Sequence, residues 1–162
     1  AKARRNREST ERMIIVELGD PHDPQATALL KASHALMQEL FPPEDNFFLS
    51  IDDLCEPNIR FYIAREAETV LGTGALAIKD TYGEVKSMFV SPDARGRGIA
   101  DALMRQIEDT AISEKLEWLK LETGNVLHAA HKLYARHGFE NCGVFGDYTE
   151  AASSIFMQKR LG

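Results

Sequence analysis

The stretch VKSMFVSPDARGRGIADALMRQI, Val85–Ile107, constrains the fold more than any other part of the chain. A short apolar run ends at Ser91-Pro92, a loop dense in Gly and Arg follows, and a helix then begins. Ile99, Leu103, Ile107 and Ala111 recur every four residues and give that helix one buried stripe. Gly96 and Gly98 remove side chains where the helix starts. The first backbone N–H groups of a helix have no intrahelical partner and lie at the positive end of its dipole. A phosphate could approach them closely, with Arg95 and Arg97 adding charge. Taken alone, the loop is equally compatible with a solvated connection. It has neither the Gly-Lys-Ser/Thr of a P-loop nor the G-x-G-x-x-G spacing of a dinucleotide fold.

A chain of 162 residues can bury a full core without staples. One domain is expected over residues 11–162, preceded by a tail at 1–10 whose basic run is Lys2, Arg4, Arg5 and Arg7. The net charge of −6 argues against general nucleic-acid binding, which needs a basic face to displace counterions. No stretch approaches the roughly 18 apolar residues of a membrane span, and no signal peptide is visible. The expectation is a cytoplasmic protein with no membrane partner. Cys55 and Cys142 then read as free thiols in a reducing compartment. His128, His131 and His137 raise the question of a metal, but they lack the carboxylate partner and spacing of a ligand set, so no metal is expected.

Taken in order, Arg12–Leu18 reads as a first strand. Asp20, Pro21, Asp23 and Pro24 break it and start a helix with Ala26, Leu29, Leu30, Ala35, Leu36 and Leu40 on one face, ended by Phe41-Pro42-Pro43. Residues 44–57 read as a loop with one short helix around Ile51–Leu54. Phe47 and Phe48 would be poorly placed in a plain connector, which favours a lid over a pocket. Strands follow at Ile59–Arg65 and Val70–Ile78, and the motif strand makes a third in an antiparallel meander. After the helix from Gly98 to about Ser113 come a strand at Trp118–Glu122 and a helix from Leu127 to about His137, capped by Gly138. Strands at Phe139–Phe145 and Ile155–Leu161 close an order β-α-α-β-β-β-α-β-α-β-β.

Arg95-x-x-Gly98-x-Ala100, directly after a strand ending Met88-Phe89-Val90, resembles motif A of the GNAT family of N-acetyltransferases. Leu133-Tyr134-x-x-x-Gly138-Phe139 is similar to the family's motif B, and the element order agrees along nearly the whole chain. The resemblance implies an α/β (α+β) fold: a mixed, mostly antiparallel sheet of six to seven strands, splayed between the fourth and fifth, with about four flanking helices. It implies acetyl-CoA as co-substrate, its pyrophosphate cradled from Arg95 through Gly96, Arg97, Gly98, Ile99 and Ala100 to Asp101. Pantetheine would pair with main chain of Met88, Phe89 and Val90 in the splay. Asn125 resembles the family asparagine that bonds pantetheine, although it lies nine residues before Tyr134 where seven is usual.

For catalysis the resemblance implies that Tyr134 brings a hydroxyl near the CoA sulfur; the plain alternative is a core aromatic on a helix. Glu84 lies eleven residues before Arg95, where histone acetyltransferases of the family carry their catalytic glutamate. The alternative there is a strand-edge glutamate paired with Lys86 or Lys79. Glu122 is a weaker candidate base, and Lys120 stands where ribosomal-protein acetyltransferases of the family carry theirs. Asp147-Tyr148 lies in the last hairpin, where the family often contacts the acceptor. The expected activity is acetyl transfer to a primary amine. Glu44, Asp45, Asp52, Asp53 and Glu56 near the lid favour a cationic small-molecule acceptor. A protein or peptide amine is the enzymatic alternative, and a non-catalytic acyl-CoA sensor the competing class. The end strand and aromatic hairpin leave room for a homodimer.

Overall fold

Alternation along the strands sorts side chains onto two faces of one sheet, and the helices cover both. The computed structural model describes residues 13–162; the basic run at the start of the chain lies outside them. Seven strands, β1 (Ile14–Leu18), β2 (Ile59–Glu66), β3 (Thr69–Ile78), β4 (Tyr82–Val90), β5 (Trp118–Gly124), β6 (Glu140–Cys142) and β7 (Ser154–Arg160), form the sheet. Their spatial order is β1-β2-β3-β4-β5-β7-β6, with every neighbouring pair antiparallel except β4 and β5.

Helix α1 (Pro24–Leu40) starts because Asp23 accepts from the N–H groups of Gln25 and Ala26 and Pro24 needs no partner at the first position. It buries Ala26 and Leu30 with Leu54, Phe61 and Ala75 on one face of the sheet. Helix α2 (Ile99–Ser113) covers the other face. Its stripe of Ile99, Leu103, Ile107 and Ala111 packs with Tyr62, Ala64 and Leu76, the alternate residues of the same strands. Helix α3 (His128–Arg136) adds Leu133 and Tyr134 to that core, and Gly138 follows with φ +90°.

Among the described residues there are three α-helices rather than the expected number of about four. The helix expected around Ile51–Leu54 is a single 3₁₀ turn, Asp53–Cys55. Ser50 and Asp53 do exchange capping bonds, each N–H to the other's side-chain oxygen at 3.0 Å. Glu56 is already extended ahead of Pro57, so the start signal has no room to propagate. The strand expected over Phe139–Phe145 shrinks to Glu140–Cys142, and the residues beyond turn back toward the sheet. Leu103 is fully buried at the centre of the larger core, with 0% exposure. Leu103→Ala should therefore cost about 2–5 kcal/mol in urea unfolding, without a change in the slope of the transition.

Candidate functional site

Strands β4 and β5 pair in parallel for three rungs only, Tyr82 with Trp118, Gly83 with Leu119 and Glu84 with Lys120. Beyond Glu84 the strands part, while β4 stays paired to β3 on its other edge and β5 to β7. The parting coincides with a bulge. The β3–β4 register shifts between Thr73 and Ala75, and Ser87 takes a left-handed φ of +57°. The Thr73 hydroxyl donates to the Ser87 carbonyl at 2.8 Å and holds that conformation. A bulge bends its strand and increases its twist, which turns the end of β4 away from β5. The edge of Val85–Val90 that faces the gap is thus left without a strand partner.

A cavity of about 140 Å³ occupies the gap, between Val85–Met88 on one side and Glu122–Gly124 on the other. Phe47 and Phe48 line it, so the segment read as a lid does face the site. Phe48 stacks on His34 at 4.1 Å, and burial holds that imidazole's pKa below its usual value. Asn46 also lines the cavity. Its amide nitrogen donates to the Phe41 and Pro42 carbonyls, leaving Oδ1 buried with no donor among the described residues.

Further along, α2 begins at Ile99 with Gly98 as its N-cap at φ +77°, preceded by Gly96 at φ +78°. Both angles lie in the left-handed region that favours glycine. Among the described residues nothing lies within 4 Å of where a Cβ would stand at either position, and no side chain caps the helix. The first N–H groups of α2 are therefore open to an anion. Ile99 offers main chain only, since its side chain is in the core. The two arginines differ: Arg97 is ion-paired with Glu66, whereas Arg95 is exposed and has no ion pair among the described residues.

Two residues expected at the cofactor have their side chains engaged elsewhere. Asp101 takes a two-pronged bond from Arg136 at 2.9 and 3.0 Å and a third from His137 at 2.7 Å. Chiefly through Arg136, these hold its carboxyl down at about 2. Its side chain is a tie between the start of α2 and the end of α3. The Asn125 side chain donates to the Ala152 carbonyl at 3.4 Å and its N–H to Ser153 at 2.8 Å, which anchors the loop before β7. Two of the three histidines are likewise occupied, His137 with Asp101 at 2.7 Å and His131 with the Gly124 carbonyl at 2.7 Å.

The titratable groups divide between two compartments. Tyr134, 6% exposed, lines the gap cavity with Glu122. Burial raises the Tyr134 hydroxyl pKa, and the charge of Glu122 raises it further. Glu122 itself is raised by burial, against a 2.8 Å bond from the Ser154 hydroxyl. Glu84, 5% exposed, opens instead into a wider basin of about 1210 Å³ that it shares with Tyr82 and Tyr148. Its carboxylate accepts from the Tyr148 hydroxyl and lies 3.4 Å from the Lys86 ammonium. Phe47, Phe48 and Lys86 line both compartments and form their common border. The Lys86 pairing was readable, since residues two apart share a strand face. The arrival of Tyr148 was not, because a loop's path leaves no periodic signal.

Comparison with known proteins agrees with this architecture. The profile of the acetyltransferase (GNAT) family matches residues 26–139. An "IAA acetyltransferase" of Azospirillum brasilense is 42% identical over 151 residues, covering 91% of this chain and 98% of that protein. YedL of Escherichia coli (strain K12), an uncharacterized N-acetyltransferase, is 34% identical over 92% of this chain and 96% of its own length. Among solved structures, an acyl-CoA N-acyltransferase assignment from Klebsiella pneumoniae superposes with TM-score 0.78 at 28% identity, covering 93% of this chain and 99% of that one. A GNAT acetyltransferase from Elizabethkingia anophelis with acetyl-CoA bound shares the fold at TM-score 0.69 and 19% identity, over 91% and 98% of the two chains.

The Asp101 tie has a signature in stability. Its depressed carboxyl stabilises the fold above the ordinary value of 3.8, and that contribution is lost as pH falls through about 2. Arg136 is half exposed, which screens the pair. Asp101→Asn should cost about 1 kcal/mol in urea unfolding at neutral pH, with the gap to the parent closing between pH 3.8 and about 2.

Proposed function

The chain belongs to the GNAT family of acetyltransferases, and we propose that it moves the acetyl group of acetyl-CoA to the primary amine of a small cationic molecule, both substrates being held together. The observation that carries this reading is the unpartnered edge of Val85–Val90, which runs from the open start of α2 to the cavity of Tyr134. The residues present fit acetyl-CoA. The uncapped N–H groups behind Gly98 and the unpaired Arg95 suit a diphosphate, and the free main chain of Met88, Phe89 and Val90 suits the amides of pantetheine. When bound, acetyl-CoA supplies an activated thioester carbonyl.

The chain's own groups then have separable tasks. Main-chain N–H groups at the Ser87 bulge can polarise a carbonyl lying in the gap. Tyr134, whose raised pKa keeps its proton on the hydroxyl, can hand that proton to a departing sulfur. An ammonium has no lone pair, so the amine must lose a proton before it attacks. Glu84 can take it on the basin side. Base and acid then flank the shared border of Phe47, Phe48 and Lys86, Glu84 from the basin and Tyr134 from the gap, so that an amine deprotonated at one could reach a carbonyl whose sulfur departs toward the other. Holding both reactants there removes much of the entropic barrier.

Glu122 is a second candidate base, favoured by its raised pKa and by sharing the cavity with Tyr134. The acceptor class follows from charge. Asp53, Glu56, Asp80 and Asp147 line the basin. Lys86 already has its donors engaged by Phe47, Tyr148 and Glu84. A cationic amine suits such a site.

Thiol release from acetyl-CoA with spermidine, tyramine and lysine as acceptors tests the reading; silence on every amine beside tight CoA binding would favour a sensor. Arg95→Glu should weaken acetyl-CoA binding by about tenfold or more in calorimetry, and an unchanged affinity removes the cradle. Tyr134→Phe should lose roughly a hundredfold in turnover with cofactor affinity near normal, whereas full activity would reduce Tyr134 to packing.

A further inference from the structure

Tyr148 belongs to neither sequence motif, yet its hydroxyl stands between the two charges of the basin wall. A turn delivers it: the Tyr148 N–H donates to the Phe145 carbonyl at 3.2 Å, and Gly146 takes a left-handed φ of +59°. Edge-on contacts with Phe47 and Phe145 at 5.3 Å and with Phe156 at 5.5 Å fix the ring. The hydroxyl donates to Glu84 Oε2 and accepts from Lys86 Nζ at 2.7 Å. Lys86 gives a further proton to the Phe47 carbonyl at 3.0 Å.

The direction of these bonds is set by chemistry. An ammonium cannot accept and a carboxylate cannot donate, so the hydroxyl must take from Lys86 and give to Glu84. Oε2 is thereby committed, while Oε1 has no hydrogen-bond partner among the described residues. We propose that Tyr148 is a positioning residue for acetyl transfer: held by Lys86 and packed against the lid at Phe47, it fixes one oxygen of Glu84 so that the other is presented to the acceptor amine. The proton then passes from the amine nitrogen to Oε1, directly or through a water, and the N–H pair stays on nitrogen for the attack. This rests on Glu84 as the base. It adds that the base is aimed by the last hairpin and coupled to the lid, so that neither segment is a mere connection.

The test compares Tyr148→Phe, which keeps the ring and removes the hydroxyl, with Glu84→Gln and with the double variant. Spermidine serves as acceptor. Tyr148→Phe should lower kcat roughly ten- to hundredfold and leave KM for acetyl-CoA within about twofold. In the Glu84→Gln background it should change kcat by no more than about twofold, because a residue acting through Glu84 has nothing left to aim. A crystal structure of Tyr148→Phe should show the Glu84 carboxylate rotated from its place.

An unchanged kcat in Tyr148→Phe beside a slow Glu84→Gln overturns the proposal and leaves the base intact. An equal loss in both backgrounds overturns it too, since Tyr148 would then act by itself. Full turnover by Glu84→Gln removes the base and the proposal with it. A Glu84 carboxylate that stays in position in the Tyr148→Phe crystal overturns the proposal whatever the acceptor does.

Discussion

The parting of β4 from β5 after one short parallel run is the constraint on which the rest of the molecule depends. Parallel strands normally zip along their shared length, and main chain left unpaired inside a protein is costly unless something else satisfies it. Here the register of β4 against β3 slips at Ser87, a residue without glycine's freedom in a left-handed conformation. Such a conformation costs on the order of 1–3 kcal/mol and persists only where the surroundings over-determine it. The Thr73 hydroxyl and the packed β3–β4 pairing supply that determination. A stretch of polar main chain thus faces a gap that the fold itself does not fill, and the chemistry of a thioester and its carrier can be laid against it.

Charge follows from the same opening. Glu84 sits on the last rung that β4 shares with β5, Glu122 lies two residues beyond that rung on β5, and Lys86 lies near both. Two carboxylates around one ammonium leave an excess of negative charge in a poorly solvated place. The fold relieves it in part by neutral donors, Tyr148 for Glu84 and Ser154 for Glu122. It also lifts the Glu122 pKa, chiefly through burial. A cation arriving from outside would complete the balance, which is the physical ground for proposing a cationic acceptor.

The sequence made the layers legible because their causes are local. Asp23-Pro24 starts α1, the fourfold spacing of Ile99 to Ala111 sets the buried face of α2, and alternation in β2 sends Phe61 and Tyr62 to opposite cores. Gly96 and Gly98 were readable for the same reason, since a left-handed turn before a helix selects glycine. What stayed hidden depends on distant parts meeting. Asp101 looks like a first-turn acid at a phosphate cradle until Arg136 and His137 arrive from the end of another helix. Ser50 and Asp53 write a helix start that Pro57 cuts short. Tyr148 reads as a hairpin residue until the fold brings it onto Glu84.

Two compartments with one wall also say something about order. Tyr134 is reached from the gap and Glu84 from the basin, and Phe47 belongs to the segment that borders both. On the proposed reading, a thioester resting in the gap would be bordered on its basin side by Phe47, Phe48 and Lys86. Water reaching it would hydrolyse an activated acyl group to no purpose. On the same reading, a cationic amine would be drawn to the acidic basin beside that border by its charge, whereas water would not. If the proposed roles hold, the border would favour an amine over water before any proton moves, and would do so with the residues proposed to aim the base.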